Sequence, residues 1–310
     1  MPHTAPATNP TYSAENSAKA EFDDLYTAPT PHAYLRAMLE SGYAICEATR
    51  PFFSAAVELL RRLDGPGLPV QMLDVGCSYG IGAALVRFGC SFAELTAFFS
   101  GRAPEEYRRC VESTRMWLHA TAPRGDLRVI GLDTSRPALR FAREAGLIQG
   151  AIERNFEPEG VLPDAEERAW LRSCNLLVSS GAIGYVTARS LEKLLPELGR
   201  DHPSRHGPLG VFSVLRMFDA QPLAQAFEAH GWAMVQVPGI HLPQRRFVDE
   251  RERAGILELL AGRGIETAGL EEEGVLYADL FAAAPPDLLP ALQEALEAVA
   301  GERPAVEPPG

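Results

Sequence analysis

Two short apolar runs, each ending in an acidic residue, constrain this chain more than any other feature. Val70-Gln-Met-Leu-Asp-Val75 leads straight into Gly-Cys-Ser-Tyr-Gly80, and Arg128-Val-Ile-Gly-Leu-Asp133 leads into Thr134, Ser135 and Pro137. Mostly apolar runs of this length read as strands buried on both faces, the condition of a parallel sheet covered by helices. Helical spacing follows each run, over Ile81 to Phe88 and over Ser135 to Gly146, with Ser or Thr as cap and Gly146 as stop. Further strand candidates are Ala151 to Arg154, Asn175 to Ser179, Leu209 to Leu215, Met234 to Val237 and Leu276 to Ala282. Seven strands alternating with helices predict an α/β fold, an open and mostly parallel seven-stranded sheet with helices on both faces.

The remaining segments predict appended parts rather than a second core. Residues 1–20, rich in Ala, Ser, Thr, Asn and Pro, read as a flexible arm. Helical spacing of Tyr34, Leu35, Met38, Leu39, Phe52, Phe53, Val57, Leu59 and Leu60 predicts an N-terminal helical cap over 21–66, closed by the turn formers of Leu63 to Pro69. The sheet domain is expected over 67–300 and a disordered tail over 301–310. Fifty-three positions separate Gly80 from Asp133, where a plain β-α-β unit takes about 20. The excess, 91–124, has helical spacing and reads as a helical insertion between the first two strands. A lid over the site and an outer packing element fit that insertion about equally.

Charge and cysteine usage narrow the function classes. A net charge of -12 opposes binding to a polyphosphate backbone, so nucleic acid is not an expected partner. The five cysteines form no Cys-x-x-Cys pair, which fits reduced thiols in a cytoplasmic protein. No basic and apolar leader precedes residue 20, and no apolar run reaches the roughly 20 residues that span a bilayer, so neither export nor membrane insertion is expected. No His and carboxylate pattern suggests a metal. The oligomeric state stays open, with a homodimer among the options.

In Asp74-Val-Gly-Cys-Ser-Tyr-Gly80, small residues at 76, 78 and 80 allow a sharp turn and close approach of a ligand at the end of the first strand. The nearest dinucleotide register, Gly80-Ile-Gly82-Ala-Ala-Leu85, lacks its third glycine, and no Lys follows the glycines as a P-loop requires. NAD, FAD and ATP are therefore disfavoured, although a ligand-free strand-to-helix turn would have a similar composition. The loop resembles motif I of class I S-adenosylmethionine (SAM)-dependent methyltransferases, acidic-x-Gly-x-Gly-x-Gly with Ser at the middle glycine. That resemblance implies a Rossmann-like domain in which Asp74, Gly76, Cys77, Ser78, Tyr79 and Gly80 wrap the methionine part and ribose of SAM. It implies that Asp133 takes the ribose hydroxyls, with Thr134 following it into the pocket. By the same resemblance Asn155, in place of the family's Asp, faces the adenine amino group with Phe156 beside the ring, and Ser179, Ser180 and Gly181 lie near the methyl group.

The resemblance also implies a transferase that converts SAM to S-adenosylhomocysteine on a small molecule, in bacterial-type secondary metabolism or a similar biosynthetic pathway. Family members hold acceptors with the cap and with insertions after the later strands. Here those regions offer Tyr26, Tyr185, Arg216, Arg245 and Arg246, and beyond them Tyr34, Tyr43, Glu47 and His241. The paired Arg245 and Arg246, expected between strands six and seven, suit bidentate capture of a carboxylate or phosphate, although Asp249 to Arg253 beside them suits surface ion pairs equally. No catalytic base is singled out. Two alternatives stay open: a related enzyme using bound SAM for cyclisation, elimination or rearrangement, and a non-catalytic partner subunit of the same fold.

Overall fold

A computed structural model of the chain describes residues 23–65, 67–100, 106–121 and 126–302. Among them, one seven-stranded sheet runs in the order β3-β2-β1-β4-β5-β7-β6. Its strands are β1 (Val70–Val75), β2 (Leu127–Asp133), β3 (Gly150–Glu153), β4 (Leu176–Ser180), β5 (Leu209–Leu215), β6 (Ala233–Arg246) and β7 (Val275–Ala284). The first five pair in parallel, while β7 runs antiparallel to both β5 and β6. The expected open, mostly parallel sheet is therefore present, with one reversed strand. Every residue of β5 is buried, as a central strand covered on both faces must be.

The cap comprises a 3₁₀ turn at Asp23–Tyr26, α1 (His32–Glu40) and α2 (Ile45–Asp64). After β1 come α3 (Ile81–Phe88), then α4 (Phe92–Ser100) and α5 (Tyr107–His119) of the insertion, and α6 (Arg136–Glu144) follows β2. Farther along lie α7 (Ala165–Ser173), α8 (Ala188–Leu194), α9 (Gln221–Ala229), α10 (Glu250–Gly262) and α11 (Leu289–Glu302). Local chemistry explains several ends. The Ser135 hydroxyl accepts from the Ala138 N–H and Asp164 forms a capping box with Glu167, each satisfying helix donors that otherwise lack partners. The amphipathic α2 packs against α3 and α11 and lies across β4, β5 and β6. No single described helix is long and apolar enough to cross a membrane.

Three expectations need adjustment. The sixth strand is not the short Met234 to Val237 but fourteen residues long, with irregular pairing between Gln236 and His241 and between Pro243 and Arg245. Its continuation carries Gln244, Arg245 and Arg246 into the sheet rather than into a connection between strands. Gly301 and Glu302 close α11 instead of opening a tail; residues 303–310, and the proposed arm at 1–20, lie outside the described residues. The insertion packs against α1, with Phe99 edge-on to His32 at 5.2 Å and Tyr107 against Phe141 of α6 at 6.5 Å. Among the described residues, the N-terminal cap meets the loop after β1. The Tyr79 hydroxyl is shared between the Ala28 and Leu25 carbonyls at 2.7 and 3.0 Å, and Ser135 donates to the Tyr26 carbonyl.

Candidate cofactor site at the carboxyl edge of the sheet

The order of the sheet reverses at β1, with β2 on one side and β4 on the other, so the loops following β1 and β4 flank a switch-point crevice. The loop after β1 is wound tightly, with positive φ at Gly76 (74°), Ser78 (49°) and Gly80 (75°). At Gly76 the constraint is steric as well, since an added Cβ would lie 2.1 Å from Ala182 Cβ in the turn after β4. Glycine there lets the two loops touch. Ser78, a non-glycine residue in the left-handed region, keeps a buried hydroxyl with no hydrogen-bond partner.

Two carboxylates face this loop. Asp133, at the end of β2, accepts from the Ser78 N–H at Oδ2 and the Ser135 N–H at Oδ1, each at 2.8 Å, with the Thr134 N–H a further backbone donor. A carboxylate offers about four acceptor sites, so Asp133 can still accept from a ligand. Burial holds its pKa above the usual range, opposed by these backbone donors. Asp74, two residues before Gly76, is 3% exposed. Its Oδ2 has no partner, and burial, with the charge of Asp133 adding, pushes its carboxyl up to about 7. Thr134 is exposed beside Asp133.

Other expected cofactor residues divide by burial. Cys77 and Tyr79 are buried; the Cys77 thiol sits over β2, 2.5 Å from where a Gly131 Cβ would stand, and Tyr79 stacks into the cap beside Tyr34 at 5.5 Å. These two side chains are structural walls, leaving their backbone to the turn. Asn155 closes its own turn by accepting from the Glu157 N–H at 2.9 Å, and Phe156 is buried. At the end of β4, Ser179 donates to the Val75 carbonyl at 2.9 Å, so its hydroxyl is spent within the sheet. Ser180 points to the other face, 3.5 Å from Cys46 Sγ of α2.

The expected acceptor residues are corrected more heavily. Arg245 and Glu252 form a bidentate pair at 2.8 and 2.6 Å, with side chains 3% and 4% exposed. Arg245 also donates to the Arg246 carbonyl, and Arg246 donates to the Glu40 carbonyl, anchoring the end of α1. Arg216 pairs with Glu271 at 2.5 Å and donates to the Glu266 carbonyl. His241 meets Asp279 at 2.7 Å. Each arginine is thus engaged within the protein rather than directed into the crevice. Tyr26 stands in the cap 5.4 Å from Tyr34, and Tyr185 is exposed in the loop after β4.

The sequence reading passed over three residues. Glu157, buried, accepts from the Thr187 N–H at 2.8 Å, the Thr187 hydroxyl at 2.7 Å and the Ser190 hydroxyl at 2.5 Å, tying the turn after β3 to the start of α8. Cys46 and Gln244 reach the end of β4 from α2 and β6. Single polar residues far apart in the chain carry no local signal, although acidic Glu157 thirty positions before a Thr helix cap was at least available to weigh.

No family model matches the sequence, and no curated protein matches it. Solved structures resemble it more distantly. One is a precorrin-6y C5,15-methyltransferase from Geobacter metallireducens, 14% identical over 74% of this chain and 87% of that one, TM-score 0.32. A second is a SAM-dependent methyltransferase from Geobacter sulfurreducens in complex with S-adenosyl-L-homocysteine, 14% identical over 81% and 98%, TM-score 0.33. A third is the 4+2 cyclase SpnF, 13% identical over 75% and 80%, TM-score 0.34. From its own topology, with a glycine turn after a central β1, an acid ending β2 and a reversed β7, the chain has an open, mostly parallel Rossmann-like α/β fold.

Proposed function

We propose that this protein is a SAM-dependent methyltransferase acting on a small molecule. The observation that carries the reading is Asp133, fixed by backbone N–H groups beside a glycine turn at the switch point, with acceptor capacity left on its carboxylate. In this reading Asp133 receives the ribose hydroxyls and the Gly76–Gly80 turn lies along the ribose and methionine part. The unpartnered Ser78 hydroxyl and Asp74 Oδ2 support a polar, partly cationic ligand, since buried polar atoms are otherwise satisfied. Asn155 lies in the turn after β3, where the adenine amino group is expected, while the buried Phe156 supports that turn from beneath.

Bound there, SAM supplies a methyl group carried on a sulfonium. The protein's part is to align an acceptor in line with that group and to exclude water. Ser180, Gly181 and the start of α2 form the wall suited to that task. Incubation with methyl-labelled SAM and fractionated small-molecule extracts tests the proposal: label should enter a small molecule, with stoichiometric S-adenosylhomocysteine. Product without S-adenosylhomocysteine would favour a non-methylating reaction, and retention of neither label nor SAM would overturn the assignment.

A further inference from the structure

The arginines expected to grip the acceptor are committed elsewhere, and the end of β4 is lined by neutral polar groups with the carboxyl of Asp74 close by. The Tyr43 hydroxyl lies 3.4 Å from Cys46 Sγ, which lies 3.5 Å from Ser180 Oγ. An added Cβ on Gly181 would meet Gln244 Nε2 at 3.1 Å and Ile45 Cγ2 at 3.6 Å, so the Gln244 carboxamide rests against the same turn. Gln244 is 4% exposed, and its Oε1 has no hydrogen-bond partner. A carboxamide oxygen so placed lacks a donor that a protein interior normally supplies. Its position is held by backbone rather than by side chain: the Gln244 carbonyl accepts from the Ala44 N–H at 2.7 Å, at the start of α2.

Electrostatics here disfavours an anion. Arg245 is neutralised by Glu252, Arg216 by Glu271, and Arg246 is turned to the Glu40 carbonyl. The carboxylates of Asp74 and Asp133 lie toward the same edge of the sheet. A carboxylate or phosphate brought here would be stripped of water with no described arginine or lysine side chain directed at it, whereas an O–H or N–H group would fill the vacant acceptance of Gln244.

We propose that Gln244 is a specificity-determining residue of the acceptor subsite. The subsite takes an uncharged molecule through an O–H or N–H hydrogen accepted by the Gln244 carboxamide, and rejects carboxylates and phosphates. The assignment rests on the methyltransferase reading for the word acceptor, but its binding chemistry can be read separately. The test is ligand-detected NMR of the full chain with benzamide and benzoate, two probes of one shape and different charge, with and without S-adenosylhomocysteine. Wild type should bind benzamide at least about tenfold more tightly than benzoate, the scale of one to two hydrogen bonds plus the rejected charge. Gln244→Met, of similar volume, should lose about tenfold in benzamide affinity, keep its S-adenosylhomocysteine affinity within about twofold, and melt no lower than wild type, because an unsatisfied polar group is removed.

Equal or reversed preference between the probes, or no benzamide binding to wild type, overturns the proposal without recourse to any variant. A lower melting temperature for Gln244→Met overturns it too, marking the side chain as structural. If S-adenosylhomocysteine fails to bind wild type, the cofactor reading falls, while a benzamide preference measured without it leaves the neutral pocket standing.

Discussion

Asp74 makes a quantitative prediction about pH. Its carboxyl is buried, lacks a partner on Oδ2, and is pushed from its ordinary 3.8 up to about 7 by burial and by the charge of Asp133. A carboxyl that titrates higher in the folded than in the unfolded chain favours the folded state while protonated. That contribution is complete below about pH 4 and is lost as the pH rises toward about 7. At roughly 1.4 kcal/mol per pH unit across that window, ionised Asp74 costs about 4 kcal/mol at pH 7.5. Asp74→Asn keeps the shape and the acceptance from the Ala83 N–H, but removes the titration. Urea unfolding from pH 4 to 8 should show the variant close to wild type at pH 4 and more stable by up to about 4 kcal/mol at pH 7.5. The comparison is needed because Glu271, also pushed up to about 7 by burial, gives both proteins a slope of the same sign. Parallel curves for the two proteins would refute the reasoning. A cation placed against Asp74 should also release its proton, so SAM affinity should rise between pH 5 and 7 in wild type and not in the variant.

Arg245→Met should destabilise by about 3–5 kcal/mol by taking the Arg245 counter-charge from buried Glu252, and Arg245→Met with Glu252→Leu should recover most of that loss; chemical denaturation measures both, and an unchanged single variant would contradict the structural role. Cys46, Cys77, Cys90, Cys110 and Cys174 are free and buried, and burial raises the thiol pKa of Cys46, Cys77, Cys90 and Cys174. A thiol reagent at pH 8 should therefore label all five in denaturant and react slowly with native protein; prompt native labelling of two or more would contradict their burial.

The elements at the heart of the fold were legible because their signals are local. A buried parallel strand announces itself as an apolar run, and both β1 and α3 fall at the residues their patterns marked. The sixth strand was truncated because Pro238, Gly239 and Pro243 interrupt its pattern, while pairing with β7 resumes beyond them. Arg245 and Arg246 were read as ligands because two adjacent arginines look like an anion clamp. The partner that neutralises Arg245, Glu252, comes back across the turn into α10 only in the folded chain. Strand alternation separates Ser179 from Ser180, since neighbouring residues face opposite sides: Ser179 bonds the Val75 carbonyl and Ser180 meets α2. Helical spacing revealed the insertion but not what it packs against, and the covering of Tyr79 falls to the cap instead. Gln244 and Cys46, 198 positions apart in number, converge only through tertiary structure.

Calorimetric titration of S-adenosylhomocysteine and NAD into wild type and Asp133→Ala tests the central claim most directly. One S-adenosylhomocysteine should bind wild type, NAD should not, and the variant should bind at least about tenfold more weakly for loss of charge-assisted hydrogen bonds. Binding of NAD alone, or equal S-adenosylhomocysteine affinity in the two proteins, would contradict the assignment of this crevice to SAM.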